Sequence, residues 1–296
     1  MSNINRTDQF QRKPGFIAAL DQSGGSTPGT LARYGIPESD YADEEAMYEH
    51  VHRMRLRILT SPALTGQHIL ATILFQGTAD RDIEGSPLPR WLWEEFGILP
   101  ILKVDVGLAE EQDGVQFMLP IPDLEDMLDA AGERGVFGTK MRSVIARWSE
   151  NGIRDIVAQQ FDYALRIAAT GLMPIVEPEV SIACPEKRRC EDALVRELES
   201  RLDALTGTDR IALKLTLPEV SNHYHALIRH PRVVRVTALS GGYDQEQACV
   251  RLATNTGMIA SFSRAFTEGL HIDQSDADFN AVLDCNVKAI YAASCT

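Results

Sequence analysis

Met173-Pro174-Ile175-Val176-Glu177-Pro178-Glu179-Val180 is an apolar run that closes on two carboxylates. Upstream, Ile153–Thr170 has the spacing of an amphipathic helix, and before it lies another apolar run, Val136–Ser143. Downstream, Cys190–Leu205 is again helical in pattern and leads to Ile211–Thr216. Outward in both directions the alternation continues, with apolar runs at Phe16–Asp21, Ile69–Phe75, Ile98–Asp105, Val233–Ser240 and Met258–Arg264. Further helical patterns lie at Glu44–Leu59, Leu124–Arg134, Gln245–Thr254 and Ala277–Ala292. Short apolar runs read as buried strands and longer amphipathic stretches as helices. Their alternation calls for parallel strands joined by right-handed crossovers. Eight such units in 296 residues favour an α/β fold closed into a single (β/α)8 TIM barrel over an open doubly wound sheet. The expected layout is one barrel domain over residues 1–296. A short polar N-terminal extension, residues 1–14, and the loop before Glu44 decorate it. Asp82–Phe96, with Pro87 and Pro89, is expected to form a loop and a short helix.

Composition narrows the function. Hydrophobic residues make up 44% and charged residues 24%, which excludes a disordered, collagenous or mainly membrane-spanning chain. Lys and Arg total 29 against 42 Asp and Glu, a net charge of −13. Such a surface repels nucleic acid and anionic membranes, so neither is an expected partner. Met1–Lys13 shows no secretory pattern, and the five cysteines include no Cys-x-x-Cys pair. Free thiols in a reducing cytoplasm are the expectation. The pairs His50/His52 and His223/His225 lie in helical-looking stretches, where residues two apart point to different faces, so no shared metal is expected.

Charged residues are rare inside parallel strands, yet here they gather at the C-terminal ends of the runs. Asp21 ends the first, Lys103 and Asp105 the third, Lys140 and Arg142 the fourth, Glu177 and Glu179 the fifth, and Arg264 the eighth. Lys214 interrupts the sixth, and Ser240-Gly241-Gly242 closes the seventh. Residues two apart share a strand face, and barrel active sites form at the C-terminal rim, so these groups converge on one pocket. Five cations, Lys103, Lys140, Arg142, Lys214 and Arg264, at the mouth of an acidic protein point to a substrate with more than one anionic group. Ser240-Gly241-Gly242 before a helix, with Arg264, suits a phosphate. A second turn, Ser23-Gly24-Gly25-Ser26, follows the first strand. Buried among cations, Lys214 loses its proton readily and is poised to attack a ketone, with Glu177 and Glu179 available for proton transfer. No metal or cofactor is called for.

The motifs Ala19-Leu20-Asp21-Gln22-Ser23-Gly24-Gly25-Ser26-Thr27, Leu102-Lys103-Val104-Asp105, Gly138-Thr139-Lys140-Met141-Arg142, Pro174-Ile175-Val176-Glu177-Pro178-Glu179, Leu213-Lys214-Leu215-Thr216, Leu239-Ser240-Gly241-Gly242 and Phe262-Ser263-Arg264-Ala265 together resemble the class I (Schiff-base) fructose-bisphosphate aldolases of the shorter bacterial type. The resemblance runs from Gly15 to the final helix. It implies a (β/α)8 barrel that reversibly cleaves fructose 1,6-bisphosphate to dihydroxyacetone phosphate and glyceraldehyde 3-phosphate, in glycolysis and gluconeogenesis. It further implies Lys214 as the Schiff-base lysine and Glu177 as general acid/base. By the same resemblance Glu179 supports the charge network, Asp21 takes part in carbon–carbon cleavage and Lys140 orients substrate hydroxyls. Ser240, Gly241, Gly242 and Arg264 match the site for the ketone-half phosphate, and Lys103, Arg142, Ser23 and Ser26 surround the other. The chain departs from the longer animal-type pattern. Gln22 stands for a glutamate, Met141 for a tryptophan, and Leu215-Thr216 for Pro-Asn. No tyrosine ends the chain, which leaves Tyr291 either as a stand-in or as an ordinary helix residue. The competing readings are another phosphosugar aldolase or transaldolase-like enzyme, a phosphosugar isomerase that forms no covalent intermediate, and a non-catalytic binding protein. A homo-oligomer is compatible with all of them.

Overall fold

Each apolar run becomes a parallel strand, because its alternate residues find two different apolar surroundings. The computed structural model describes residues 3–22 and 27–296, with side chains from residue 6 onward. The strands are β1 Phe16–Leu20, β2 Ile69–Leu74, β3 Leu99–Lys103, β4 Gly138–Ile145, β5 Met173–Val180, β6 Ile211–Thr216, β7 Val233–Leu239 and β8 Ile259–Phe262. They pair in sequence order, β8 returns to β1, and β3 pairs with β4, so the sheet is a closed barrel of eight. Ile17, Ala19, Ala71, Ile73, Leu99, Ile101, Ile175 and Ala212 meet inside it. The intervening residues, such as Ala18, Leu20, Val176, Leu213 and Leu215, pack outward against the helices.

Helices fill the crossovers as their periodicity requires, but two begin earlier than the apolar pattern does. Helix Glu150–Ala169 starts three residues before Ile153, because Ser149 caps it by accepting the Gly152 N–H at 3.0 Å. Helix Lys187–Asp203 likewise starts ahead of Cys190. The Asp82–Phe96 segment is more ordered than a loop. Asp82–Ile83 pairs with Ser86–Pro87 across Glu84 and Gly85, both at positive φ (51° and 81°), and helix Leu88–Phe96 follows.

The segment ahead of β1, expected as a polar extension, contains helix Asn3–Arg12. Its Phe10 is fully buried in the inner cluster, with its ring 5.3 Å from that of Phe137. Arg235 donates to the carbonyls of Gln11 and Lys13 at the end of this helix. The N-terminal end of the barrel is thereby closed and apolar. The opposite end, where the strands finish in charge, is left open.

No helix among the described residues is long and apolar enough to cross a membrane.

Candidate active site

At the C-terminal ends of the strands lies a cavity of about 1050 Å3. Glu177 on β5 stands between Lys140 on β4 and Lys214 on β6. Its Oε1 lies 3.0 Å from Lys214 Nζ. Its Oε2 lies 3.1 Å from Lys140 Nζ, off-line for a hydrogen bond. Lys140 Nζ is also 2.7 Å from Asp21 Oδ2 and 3.7 Å from Asp105 Oδ2. Lys103 and Lys140 are register partners on β3 and β4, which sets like charges side by side. Asp105 relieves this, taking Lys103 Nζ at 2.7 Å on its other oxygen. Three ammonium groups and three carboxylates thus alternate in one cluster, each side chain at least nine-tenths buried.

Burial penalises the charges of Asp21, Glu177 and Lys140, and for these three the partners outweigh it. Asp21 is opposed by burial but held well below the usual carboxylate range by Lys140, Lys214 and Lys103. Glu177 is likewise opposed by burial and lowered by Lys140 and Lys214. Burial works against the Lys140 ammonium, yet Asp21, Glu177 and Asp105 raise its pKa far above that of a free lysine. Lys140 is therefore a fixed cation, and both carboxylates rest ionised.

Three expected groups have other partners. Glu179, expected among the lysines, pairs instead with Arg142, whose Nε lies 2.6 Å from Glu179 Oε2. The register explains this, since Arg142 stands beside Glu177 and the next position on that strand face, further toward the mouth, is Glu179. Arg142 and Lys103, expected as open phosphate cations, are thus each already paired with a carboxylate. Arg264 differs, forming no ion pair among the described residues, and it faces Arg33 closely enough to depress that guanidinium's pKa after burial has done so.

Ser240 and Gly241 line the cavity beside Arg264. Gly241 and Gly242 have φ of 64° and 125°, and a Cβ on either would meet Ile182 at 2.8 and 3.0 Å. A side chain at either position would be strained by the positive φ and crowded against Ile182. Helix Gln245–Ala253 was expected to add its N-terminus, but that end is already satisfied. Asp244 accepts from Gln247 N at 2.8 Å, and Glu268 accepts from Gln245 N at 2.9 Å. Ser23 and Ser26 lie outside the described residues.

Tyr291 is not at the mouth. Its ring sits 4.6 Å from that of His68, which precedes β2 at the closed end of the barrel. Tyr48 and Phe75 instead line the cavity, with their rings stacked 5.5 Å apart.

Other participants were given no site role from the sequence. Asp105 was visible beside Lys103 but given no role. Gln160, fully buried on helix Glu150–Ala169, accepts the Glu177 backbone N–H at 2.8 Å and donates to Ser143 Oγ at 2.5 Å. Gln22 donates to Ser263 Oγ at 2.5 Å. Arg55, buried behind β1, donates to the Gln22 carbonyl. The only sequence signal for Gln160 and Arg55 is a polar residue on the apolar face of a helix.

An amine touching a carboxylate at the mouth of a closed (β/α)8 barrel defines a barrel enzyme equipped for carbonyl chemistry. The comparisons with known proteins narrow that class. The chain is 52% identical over 294 residues to a protein of Synechocystis sp. named fructose-bisphosphate aldolase class 1, covering 99% of this chain and 98% of that protein. Proteins of the same name from Porphyromonas gingivalis and Clostridium acetobutylicum are 50% and 47% identical, with 99% of this chain covered in each case. The chain belongs to the class 1 fructose-bisphosphate aldolases. No family model matches it. The fold is also that of the fructose-bisphosphate aldolase of Plasmodium falciparum, solved in complex with TRAP and a small-molecule inhibitor. The TM-score is 0.74 at 20% identity, covering 99% of this chain and 93% of that one.

Proposed function

We propose that this enzyme reversibly cleaves fructose 1,6-bisphosphate into dihydroxyacetone phosphate and glyceraldehyde 3-phosphate, with Lys214 forming the Schiff base. The observation that carries the reading is the contact of Glu177 Oε1 with Lys214 Nζ at 3.0 Å, both groups buried. One proton moved across that contact produces a neutral amine and a carboxylic acid together. Those are the two forms that imine formation needs.

The amine attacks the substrate ketone, and Glu177 returns its proton to the carbinolamine oxygen as water leaves. The resulting iminium draws electrons from the neighbouring carbon–carbon bond. Asp21, ionised against Lys140, removes the hydroxyl proton of the aldehyde half as that bond breaks. The enamine left on Lys214 takes up a proton at carbon, and hydrolysis of the imine frees dihydroxyacetone phosphate. Lys140 keeps Asp21 and Glu177 ionised between turnovers and presents a fixed cation to the substrate hydroxyls.

Ser240, Gly241, Gly242 and Arg264 hold the ketone-half phosphate. Lys103 and Arg142 reach the other phosphate by exchanging Asp105 and Glu179 for it, and the family resemblance assigns Ser23 and Ser26 to that phosphate as well. Glu179 acts through Arg142. A cytoplasmic location suits doubly charged sugar phosphates, which do not cross membranes unaided.

Borohydride reduction in the presence of dihydroxyacetone phosphate, followed by peptide mass spectrometry, tests the assignment. A stable adduct is expected on Lys214. An adduct on Lys103 or Lys140, or none, would place the chemistry elsewhere.

A further inference from the structure

Helix Glu44–Leu59 packs on the outside of the barrel, with Val51, Ile58 and Leu59 fully buried. Arg55 lies among them and is itself only 1% exposed. No carboxylate among the described residues forms an ion pair with it. Its Nη1 donates to Thr78 Oγ1 at 3.0 Å, its Nη2 donates to the Gln22 carbonyl, and its Nε has no partner among the described residues. The guanidinium also lies 5.7 Å from the centre of the Phe75 ring. A charge buried this way opposes folding unless something else requires it. Burial does lower its pKa, to about 10, with partial compensation from nearby Asp21, so it remains a cation at neutral pH.

Its partners show what it does. Thr78 belongs to the turn after β2, and Gln22 directly follows Asp21 at the end of β1. The Gln22 amide continues the chain of contacts to Ser263, next to Arg264 beyond β8. The guanidinium thus ties the rim segments after β1 and β2, the Gln22 amide extends the tie to the segment after β8, and the carbonyl of Gln22, the residue that follows Asp21, is held in place. We propose that Arg55 is a positioning residue for carbon–carbon cleavage, holding the Asp21–Gln22 turn, and with it the Asp21 carboxylate, in reacting geometry. The proposal rests on the role given to Asp21 above.

Imine formation needs Lys214 and Glu177, whereas bond cleavage also needs Asp21, so loss of Arg55 should separate the two steps. Asp21 is faced by Lys103 from β3, Lys140 from β4, Glu177 from β5, Lys214 from β6 and Arg55 from the helix behind. Removing the Arg55 charge leaves Asp21 less depressed, which moves the acid limb of the rate profile to higher pH.

The test compares wild type, Arg55→Met, Arg55→Lys and Thr78→Val by thermal midpoint, cleavage kinetics across pH, and borohydride labelling with dihydroxyacetone phosphate. Arg55→Met should label at Lys214 like wild type while kcat for cleavage falls about 10- to 100-fold. Its KM should stay within about threefold and its acid limb should shift upward. Arg55→Lys keeps the charge but is too compact to span both acceptors, so the acid limb should return to its place while kcat recovers only in part. Thr78→Val should lose a few-fold in kcat with an unchanged acid limb. Wild-type kcat and acid limb in Arg55→Met would overturn the inference, as would labelling and cleavage that fall together with the thermal midpoint. If Arg55→Met does not fold, the other two variants decide, and wild-type kcat in both counts against the proposal. If wild type itself does not label at Lys214, the reading of the whole site fails, which is a separate result.

Discussion

Lys140 and Lys214 are both buried lysines on Glu177, but they differ in how many charges depend on them. Lys140 has three carboxylates within 4 Å, whereas Lys214 has one, and that one keeps Lys140 when Lys214 is removed. Lys140→Met should therefore cost about 3–5 kcal/mol at neutral pH, the penalty of leaving the buried Asp21 carboxylate without its ion-pair partner. Lys214→Met should leave the thermal midpoint near wild type while abolishing cleavage and labelling. The two can be separated by denaturation and activity in parallel. Acid titration adds a check. In wild type, Asp21 and Glu177 are depressed in the folded state, so their contribution is complete above the ordinary carboxylate range near pH 4 and is lost as pH falls through their lowered values. Without Lys140, Glu177 keeps Lys214, but Asp21 loses its ion-pair partner, burial pushes its carboxyl upward, and protonation relieves it. The deficit of Lys140→Met should therefore shrink between about pH 7 and pH 4, and a deficit independent of pH would contradict the charge account. Lys214, Glu177, Asp21 and Lys140 were legible in the sequence because a charge in a strand buried on both faces has few structural uses. Arg55 and Gln160 were not. On a helix, one long polar side chain on the apolar face looks like a residue that reaches back to solvent.

Among the elements, the eight strands were legible within a residue or two, because runs such as Phe16–Leu20 are apolar on both faces. Helix Asn3–Arg12 was not. It docks through Phe10, and a single aromatic among polar residues carries no period. Phe10→Ala should cost about 3–5 kcal/mol, measured by denaturant unfolding, with KM unchanged because the closed end is remote from the cavity. The junction of helix Glu150–Ala169 with β5 sends the opposite kind of signal. Gln160 takes the Glu177 N–H, so Gln160→Leu leaves a buried donor unpaired and frees the strand just where its carboxylate must be held. A loss of about 1–3 kcal/mol is expected, together with a fall in kcat larger than any rise in KM. A variant that loses stability but keeps kcat would make Gln160 a packing residue only.

For the whole molecule, a net charge of −13 coexists with a mouth whose cations slightly outnumber its carboxylates, Arg33 and Arg264 having no carboxylate partner among the described residues. Charge of one sign focused in a cleft attracts an oppositely charged ligand over a range that salt shortens. KM for the bisphosphate should therefore rise with ionic strength while kcat changes little. Arg264→Ala should raise KM roughly 10- to 100-fold, since among Lys103, Lys140, Arg142, Lys214 and Arg264 it is the one with no carboxylate partner among the described residues. Because an amine carries the proposed chemistry, cleavage should survive excess EDTA, and zinc-dependent recovery after EDTA would refute the assignment. The barrel's interior is divided by height. Along a single strand such as β5, Ile175 below belongs to the apolar filling and Glu177 above to the charged cluster. Heredity can therefore edit the two tiers separately. A lineage that exchanges upper residues meets a new substrate without renegotiating how the chain folds, and one that drifts in the lower tier alters its tolerance of heat while leaving its chemistry alone.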